Sequence, residues 1–312
     1  MLWRVGATTA PNGRESNEAF EPMADLLQFV FSGLTVGAVY ALVALGFTLI
    51  YNASGVINFA QGEFVMLGGM TTVFLVLAGV PLPLAALGAI IVTVAIGLLL
   101  HRLAIEPAHD AGAAVLIIIT IGASIFLRGA AEVMFDKRFH SLPHMFGNEP
   151  IRLAGAAILP QSLVVLAGAA VIVILLSLFM ERTLFGKAVV ATAANRLAAR
   201  LVGINTRHIV GFSFAVSAAI GAVGGILVTP ITLTSYDAGT LLALKAFAGA
   251  MLGGIGSAFG AVLGGLLLGL LEAFSAGYLS SQYKDAVAFL VILAVLLVRP
   301  EGLLGRAGVE RV

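Results

Sequence analysis

Four polar side chains sit where the chain is otherwise apolar. Asn58, Gln61 and Glu63 fall within "GVINFAQGEF", and Lys245 falls within "LKAFAGAMLGG". Ionisable residues in apolar segments of this length are costly and usually serve a solute path, a relay or a ligand. Their chemistry is hydrogen bonding and charge, offered to something that passes. Glu63 reads equally as a residue beside such a path or as a carboxylate at a membrane interface. Lys245 stands five residues after Thr240, so its stem reads as snorkelling to water. Glu272 is the other acid in an apolar run. Arg128 and Glu132 are four apart and read as a helix-surface ion pair.

No bond-making constellation accompanies these residues. Cysteine is absent, which excludes thiolate nucleophiles and disulfides. The five histidines stand at 101, 109, 140, 144 and 208, and Pro143 breaks any helix between His140 and His144. No G-x-S-x-G occurs. The Gly-rich run "GGIGSAFGAVLGG" (253–265) lacks the Lys-Ser/Thr ending of a phosphate-binding loop. Gly256, Gly260 and Gly264 recur every four residues instead, a small-residue face on which membrane helices approach closely. The chain is therefore expected to hold no catalytic residue, metal or cofactor of its own, and to be no enzyme.

The elements that must position the polar residues are membrane helices. Of 312 residues, 60% are hydrophobic and only 11% charged, against about a quarter charged in soluble domains. The net charge of +1 gives no field for nucleic acid. About 20 apolar residues span a bilayer. Candidate segments are 26–51, 56–77, 82–101, 113–133, 161–180, 209–229, 241–252, 258–277 and 286–298. The seventh and ninth are short and the second opens on a polar run. The expected fold is all-α: a polytopic transmembrane bundle of eight or nine segments, with room for one re-entrant piece.

Basic residues orient such a bundle, being concentrated on the cytoplasmic side. Arg102, the stretch 181–208, Arg299 and Arg306 are assigned there, which places 134–160 and 231–240 outside. Nine crossings then put the N-terminus outside and the C-terminus inside. Arg4 and Arg14 pull the other way. Residues 1–22 form a polar tail or an upstream misassigned start, with 23–312 as the transmembrane domain and Met23 the favoured first residue. The stretches "FAQGEFVMLGG" (59–69) and "FAGAMLGG" (247–254) hint at two related halves, the pattern of transporters built from inverted repeats.

The stretch "ERTLFGKAVVATAANRLAARLVGINTRH" (181–208) interrupts the apolar pattern with five Lys/Arg. Its Ala, Leu and Arg residues favour one short helix. Arg196 and Arg200 share a face, Asn195 and Ala199 stand beside it, and Gly203 supplies a left-handed stop. A small-residue helix flanked by arginines suits docking into a groove on another protein, and a loop touching lipid headgroups is the plainer reading.

Ala198-Ala199-x-x-x-Gly203 resembles the coupling motif of ABC importer permeases, with Leu197 where that motif has Glu and no I-x-L-P after Gly203. Three longer blocks, 33–69, 186–209 and 244–305, resemble the H-type permeases of branched-chain amino acid ABC importers, and the resemblance extends over nearly everything from about Leu26 to the C-terminus. The resemblance implies a multi-pass subunit of the bacterial inner membrane. Implied partners are a second homologous permease, two cytoplasmic ATPase subunits that hold the ATP, a periplasmic solute-binding protein and membrane lipid. It implies import of branched-chain or related amino acids, with urea or short amides as alternatives. Asn58, Gln61, Glu63 and Lys245 are the expected pathway residues. Asn195, Arg196, Ala199, Arg200 and Gly203 are the expected ATPase-coupling residues. The rival readings are an ion-gradient-driven transporter, for which Glu63 and Glu272 are the acidic candidates, and a passive channel.

Overall fold

The computed structural model describes residues 21–108, 111–147, 149–153 and 155–305. The expected tail or early start falls mainly on residues 1–20, and Arg306 follows residue 305; both lie outside the described residues. The described chain is helical apart from one small hairpin. Its helices are α1 (Glu21–Ser54), α2 (Gln61–Leu77), α3 (Leu82–Leu100), α4 (Ala113–Phe135), α5 (Pro160–Arg182), α6 (Leu184–Ala194), α7 (Arg196–Leu201), α8 (Thr206–Thr232), α9 (Ala238–Gly253), α10 (Ala258–Tyr278) and α11 (Lys284–Val298). A π turn, His101–Ile105, extends α3. Strands β1 (Ile151–Leu153) and β2 (Ala156–Ile158) pair antiparallel between α4 and α5.

Each of the nine expected segments coincides with a helix. Among the described residues, six helical spans are long and apolar enough to cross a membrane: those built on α1, α3 with its π turn, α4, α5, α8 and α10. Helix α2 has 17 residues and α9 has 16. The second segment starts late because Gly55, at φ +73°, ends α1, and the chain is not helical again until Gln61.

Helices α1 and α8 form the centre, and α3, α4 and α5 turn mostly apolar, exposed faces outward. Around the centre pack α2, α9 and α10. The contact between α1 and α10 is backbone on backbone. A Cβ on Gly37 would lie 2.9 Å from the Leu266 Cα, and one on Gly269 would lie 2.4 Å from the Gly37 Cα. Without a hydrophobic force between helices in lipid, such close approach supplies the dispersion energy that holds them. The expected glycine face needs correction. Gly256 precedes α10, at φ +93°, and Ser257 caps the helix by accepting from the Gly260 amide. Gly260 and Gly264 do share a face, packed on Gly253 and Gly249 of α9, while Gly265 and Gly269 serve α1.

At one end of the bundle, His140 and Thr234 exchange both backbone hydrogen bonds, so the α4–α5 and α8–α9 connections meet. Gln28 of α1 accepts from the Ala157 amide there. At the other end, Asn52 donates to the Gly256 carbonyl, and Leu303 and Leu304 donate to Leu252 and Gly253. The two similar stretches occupy different parts of their helices: Phe59–Gly69 opens α2, and Phe247–Gly254 closes α9. The Phe59 and Phe247 rings touch, with centroids 5.4 Å apart.

A paired substitution tests the role of the close contact. Gly269→Leu drives a side chain into α1 backbone and should cost at least the roughly 1–3 kcal/mol typical of overpacking. Gly122→Leu, in α4 where a Cβ meets nothing within 4 Å, should leave the thermal midpoint in detergent unchanged. Equal behaviour of the two variants would remove the α1–α10 contact as a stabilising feature.

Candidate functional site

The stretch between α1 and α2 enters the bundle without helical hydrogen bonds. Unpaired backbone groups away from water cost several kcal/mol each, so partners must be supplied. The Asn58 carboxamide oxygen accepts from the Ala60 amide at 3.2 Å, and the Asn58 carbonyl accepts from Gln61 N at 3.0 Å. Thr120 of α4 accepts from the Phe59 amide at 3.2 Å. Asn58 is thus a turn-former first, a role in which Asn competes well with helix.

Past the break, two further polar side chains point inward. Ser217 of α8 donates to Gln61 Oε1 at 2.6 Å, and Gln61 Nε2 returns a bond to the Ser217 carbonyl at 3.3 Å. A Cβ on Gly46 would collide with the Gln61 amide, so α1 leaves room for it. Glu63 Oε1 accepts from Ser124 at 2.8 Å and from Thr240 at 3.3 Å. Arg128 donates to the Thr240 hydroxyl at 3.2 Å, giving Glu63 a cation at one remove. Glu63 Oε2 and Asn58 Nδ2 have no hydrogen-bond partner among the described residues. Glycines hold α2 and α9 together at this point. A Cβ on Gly62 would lie 2.0 Å from the Gly239 carbonyl oxygen, and one on Gly239 would lie 2.8 Å from Glu63 Oε2. Asn58, Gln61 and Glu63 are all fully buried.

Lys245 belongs to a different cluster, and the snorkelling reading is overturned. Its ammonium lies 3.0 Å from Glu272 Oε1 and 2.8 Å from Asp285 Oδ1, and its side chain is 12% exposed. Tyr40 donates to Glu272 Oε2 at 2.8 Å. Four helices, α1, α9, α10 and α11, are joined by these bonds. A carboxylate within reach costs less to keep than extending the stem past packed neighbours to water. The expected Arg128–Glu132 pair is replaced too: Arg128 turns inward to Thr240, and Glu132 pairs with Lys137 in the following loop.

A cavity of about 350 Å³ opens between α1, α2, α8 and α9, lined by Val39, Val65, Met66, Thr229 and Leu241, with Asp237 contributing a carboxylate. None of the four expected pathway residues lines it.

The 181–208 stretch is two helices, not one. Asn195 adopts an extended conformation and its side chain accepts from the Ala198 amide at 2.9 Å, ending α6 and capping α7. Gly203, at φ +89°, terminates α7, with Ile204 N bonded back to the Ala199 carbonyl at 3.0 Å. Ala199 is buried against the bundle, and Arg200 Nε donates to Thr206 at 3.0 Å. The large apolar side chains exposed on α7 and its C-cap are Leu197, Leu201 and Val202, at 68%, 80% and 77%. Sequence reasoning missed these three; the signal was Leu197 in the place of an acid, four residues before Leu201. It also missed Thr120, Ser124, Ser217 and Thr240, each a hydroxyl in an otherwise apolar helix.

Removing Lys245 tests the second cluster. Lys245→Met leaves Glu272 buried beside Tyr40 without a cation, and breaking a buried pair costs about 3–5 kcal/mol. The double variant Lys245→Met/Glu272→Leu should recover most of that loss, read as the thermal midpoint in detergent. A double variant as unstable as the single one would show that the cost lay elsewhere.

The comparisons with known proteins bear on what this arrangement serves. The family model for the permease component of branched-chain amino acid transport systems matches residues 29–296. The high-affinity branched-chain amino acid transport system permease protein LivH of Salmonella typhimurium is 37% identical over 301 residues, covering 92% of this chain and 97% of that protein. The corresponding BraD of Pseudomonas aeruginosa is 39% identical over 302 residues, covering 92% and 98%. Among solved structures, PsaBC from Streptococcus pneumoniae in complex with Fab shares the fold, with TM-score 0.50, 13% identity and coverage of 91% and 97%.

Proposed function

The chain belongs to the family of branched-chain amino acid transport-system permeases, and from that premise we propose that it forms one half of the membrane path of an ATP-driven importer for branched-chain amino acids. A member of this family is a transport component, not an enzyme, and it is a multi-pass membrane protein. The observation that carries the mechanism is the buried polar seam of Gln61, Glu63, Ser124, Ser217 and Thr240, set at a helix break and bounded by glycine contacts. Discontinuous segments with polar groups near mid-membrane are where transporters accommodate solutes and hinge.

In this reading the chain makes nine passes, the α1–α2 break and α2 together forming the second. The N-terminus is outside and the C-terminus inside the bacterial inner membrane. Partners are a second permease subunit, a periplasmic binding protein and two cytoplasmic ATPases that bind the ATP. Asn58, Gln61 and Glu63 border the path. Lys245 holds α9 to α10 and α11, and so positions the helix carrying Gly239 and Thr240. Solute binding in the seam stays weak, because an importer that held one state tightly would not release.

Residues 181–208 couple to the ATPase. Asn195, Ala199, Arg200 and Gly203 shape and anchor α7, Arg196 sits at its start, and Leu197, Leu201 and Val202 make the contact. Exposed apolar side chains at i and i+4 on a short helix suit a groove on a partner. The acid absent at Leu197 is thereby replaced by apolar contact.

Two experiments test the halves separately. Leu197→Asp/Leu201→Asp should abolish co-purification of the ATPase subunits while leaving the permease folded, and retained ATPase would end the docking assignment. Glu63→Gln, in proteoliposomes with the binding protein, should change leucine uptake by tenfold or more with the complex intact. Unchanged uptake would reduce Glu63 to a packing residue.

A further inference from the structure

We infer that the cavity between the π turn after α3 and the start of α8 is a specific site for the phosphate headgroup of an anionic phospholipid. The cavity, about 550 Å³, is lined by Arg102, Arg207, His101, His208 and Asn205, with Glu106 its one acid. Arg207 leans toward Glu106 at 3.7 Å, with its side chain 59% exposed. Arg102 makes no ion pair with any described residue, so cationic charge remains unmatched in a concave site. The floor is His101. It is buried to 8% exposure, lines the cavity, packs tilted against Phe214 with ring centroids 5.6 Å apart and makes no side-chain hydrogen bond with described residues. Gly211 gives it space: a Cβ there would lie 3.1 Å from His101 Nδ1.

Two features aim this charge at an anion. The 27-residue helix α8 begins here, capped by Asn205, and directs the positive end of its dipole toward the site. The π turn, closed by Glu106 N to the His101 carbonyl at 2.8 Å, inserts an extra residue, and the adjacent His101 and Arg102 both face the cavity. Such turns interrupt helices at functional positions more often than by chance.

The source of the phosphate is settled by what lies beside it. Leu98 lines the cavity one turn before Arg102 and is 42% exposed, Leu99 is 52% exposed, and Leu103 is 71% exposed. Ile91 continues the outward stripe at 60%. An acyl chain laid on that stripe brings its headgroup to the arginines. A free phosphate would have no use for it. The basic residues are also those that mark this end of the bundle as cytoplasmic, the side on which basic pockets between helices recognise anionic headgroups.

The test titrates the full chain, purified in zwitterionic detergent, with short-chain phosphatidylglycerol, short-chain phosphatidylcholine and inorganic phosphate, reading the thermal midpoint. Phosphatidylglycerol should give a saturable rise and the other two none. Arg102→Gln and Arg207→Gln should each weaken the apparent affinity by about fivefold, and Arg102→Lys should keep most of it. Glu106→Gln, which removes the one acid, should tighten it and so guards against variants that merely fold poorly. Saturation by inorganic phosphate alone, an equal response to phosphatidylcholine, or a phosphatidylglycerol response unchanged in the Arg102→Gln/Arg207→Gln variant would each overturn the assignment.

Discussion

Backbone polar groups must find partners wherever water is excluded, and the break between α1 and α2 is the place where that demand shapes everything around it. A continuous helix would meet the demand by itself. Here the chain gives up one turn, and the missing bonds come from Asn58, Thr120 and the start of α2. Once α4 must present Thr120 to the break, it also presents Ser124 and Arg128 one and two turns on, on the same side. Glu63 is then held by hydroxyls from two different helices. The carboxylate is kept as a member of a network, the arrangement in which a buried ionisable group is tolerated.

The network can exist only because the helices carrying it come very close. Gly62 and Gly239 touch through backbone atoms, and Gly37, Gly265 and Gly269 do the same for α1 and α10. Glycine costs about 1 kcal/mol against alanine in a water-exposed helix. In lipid the balance changes, since contact area replaces the hydrophobic effect as the source of association. The same close packing leaves α9 short, with Lys245 in its middle. Its two carboxylate partners come from α10 and α11, so a fully local signal could not have revealed them.

That difference separates what was legible from what was not. Helices appear wherever apolar runs are long, and the stop at Gly203 follows from residue type, because a left-handed turn there satisfies the last carbonyls. Asn58, Gln61 and Glu63 were legible as polar residues in an apolar run. The division of 181–208 into α6 and α7 was legible in retrospect: Asn195 caps far better than it propagates. Helix propensity summed over the stretch concealed it. Long-range partners were not legible. The bonds from Gln61 to Ser217 and from Tyr40 to Glu272 span 156 and 232 residues, and nothing in either local sequence names the other.

In the coupling proposed for α7, the contact that an acid at position 197 would make falls to its neighbours. In α7 the polar residues are occupied in holding the helix: Asn195 caps it and Arg200 ties it to Thr206 at the foot of α8. In the proposed coupling, that bond would carry a displacement of α7 to α8, the helix whose Ser217 holds Gln61 beside the break. A rigid link of this kind couples two sites only if both ends have two arrangements to choose between. At the membrane end, Glu63 Oε2 and Asn58 Nδ2 lack hydrogen-bond partners among the described residues, so a second arrangement that partnered them would gain bonds. At the other end, a partner that covered the exposed Leu197, Leu201 and Val202 would be favoured by the apolar surface it removes from water.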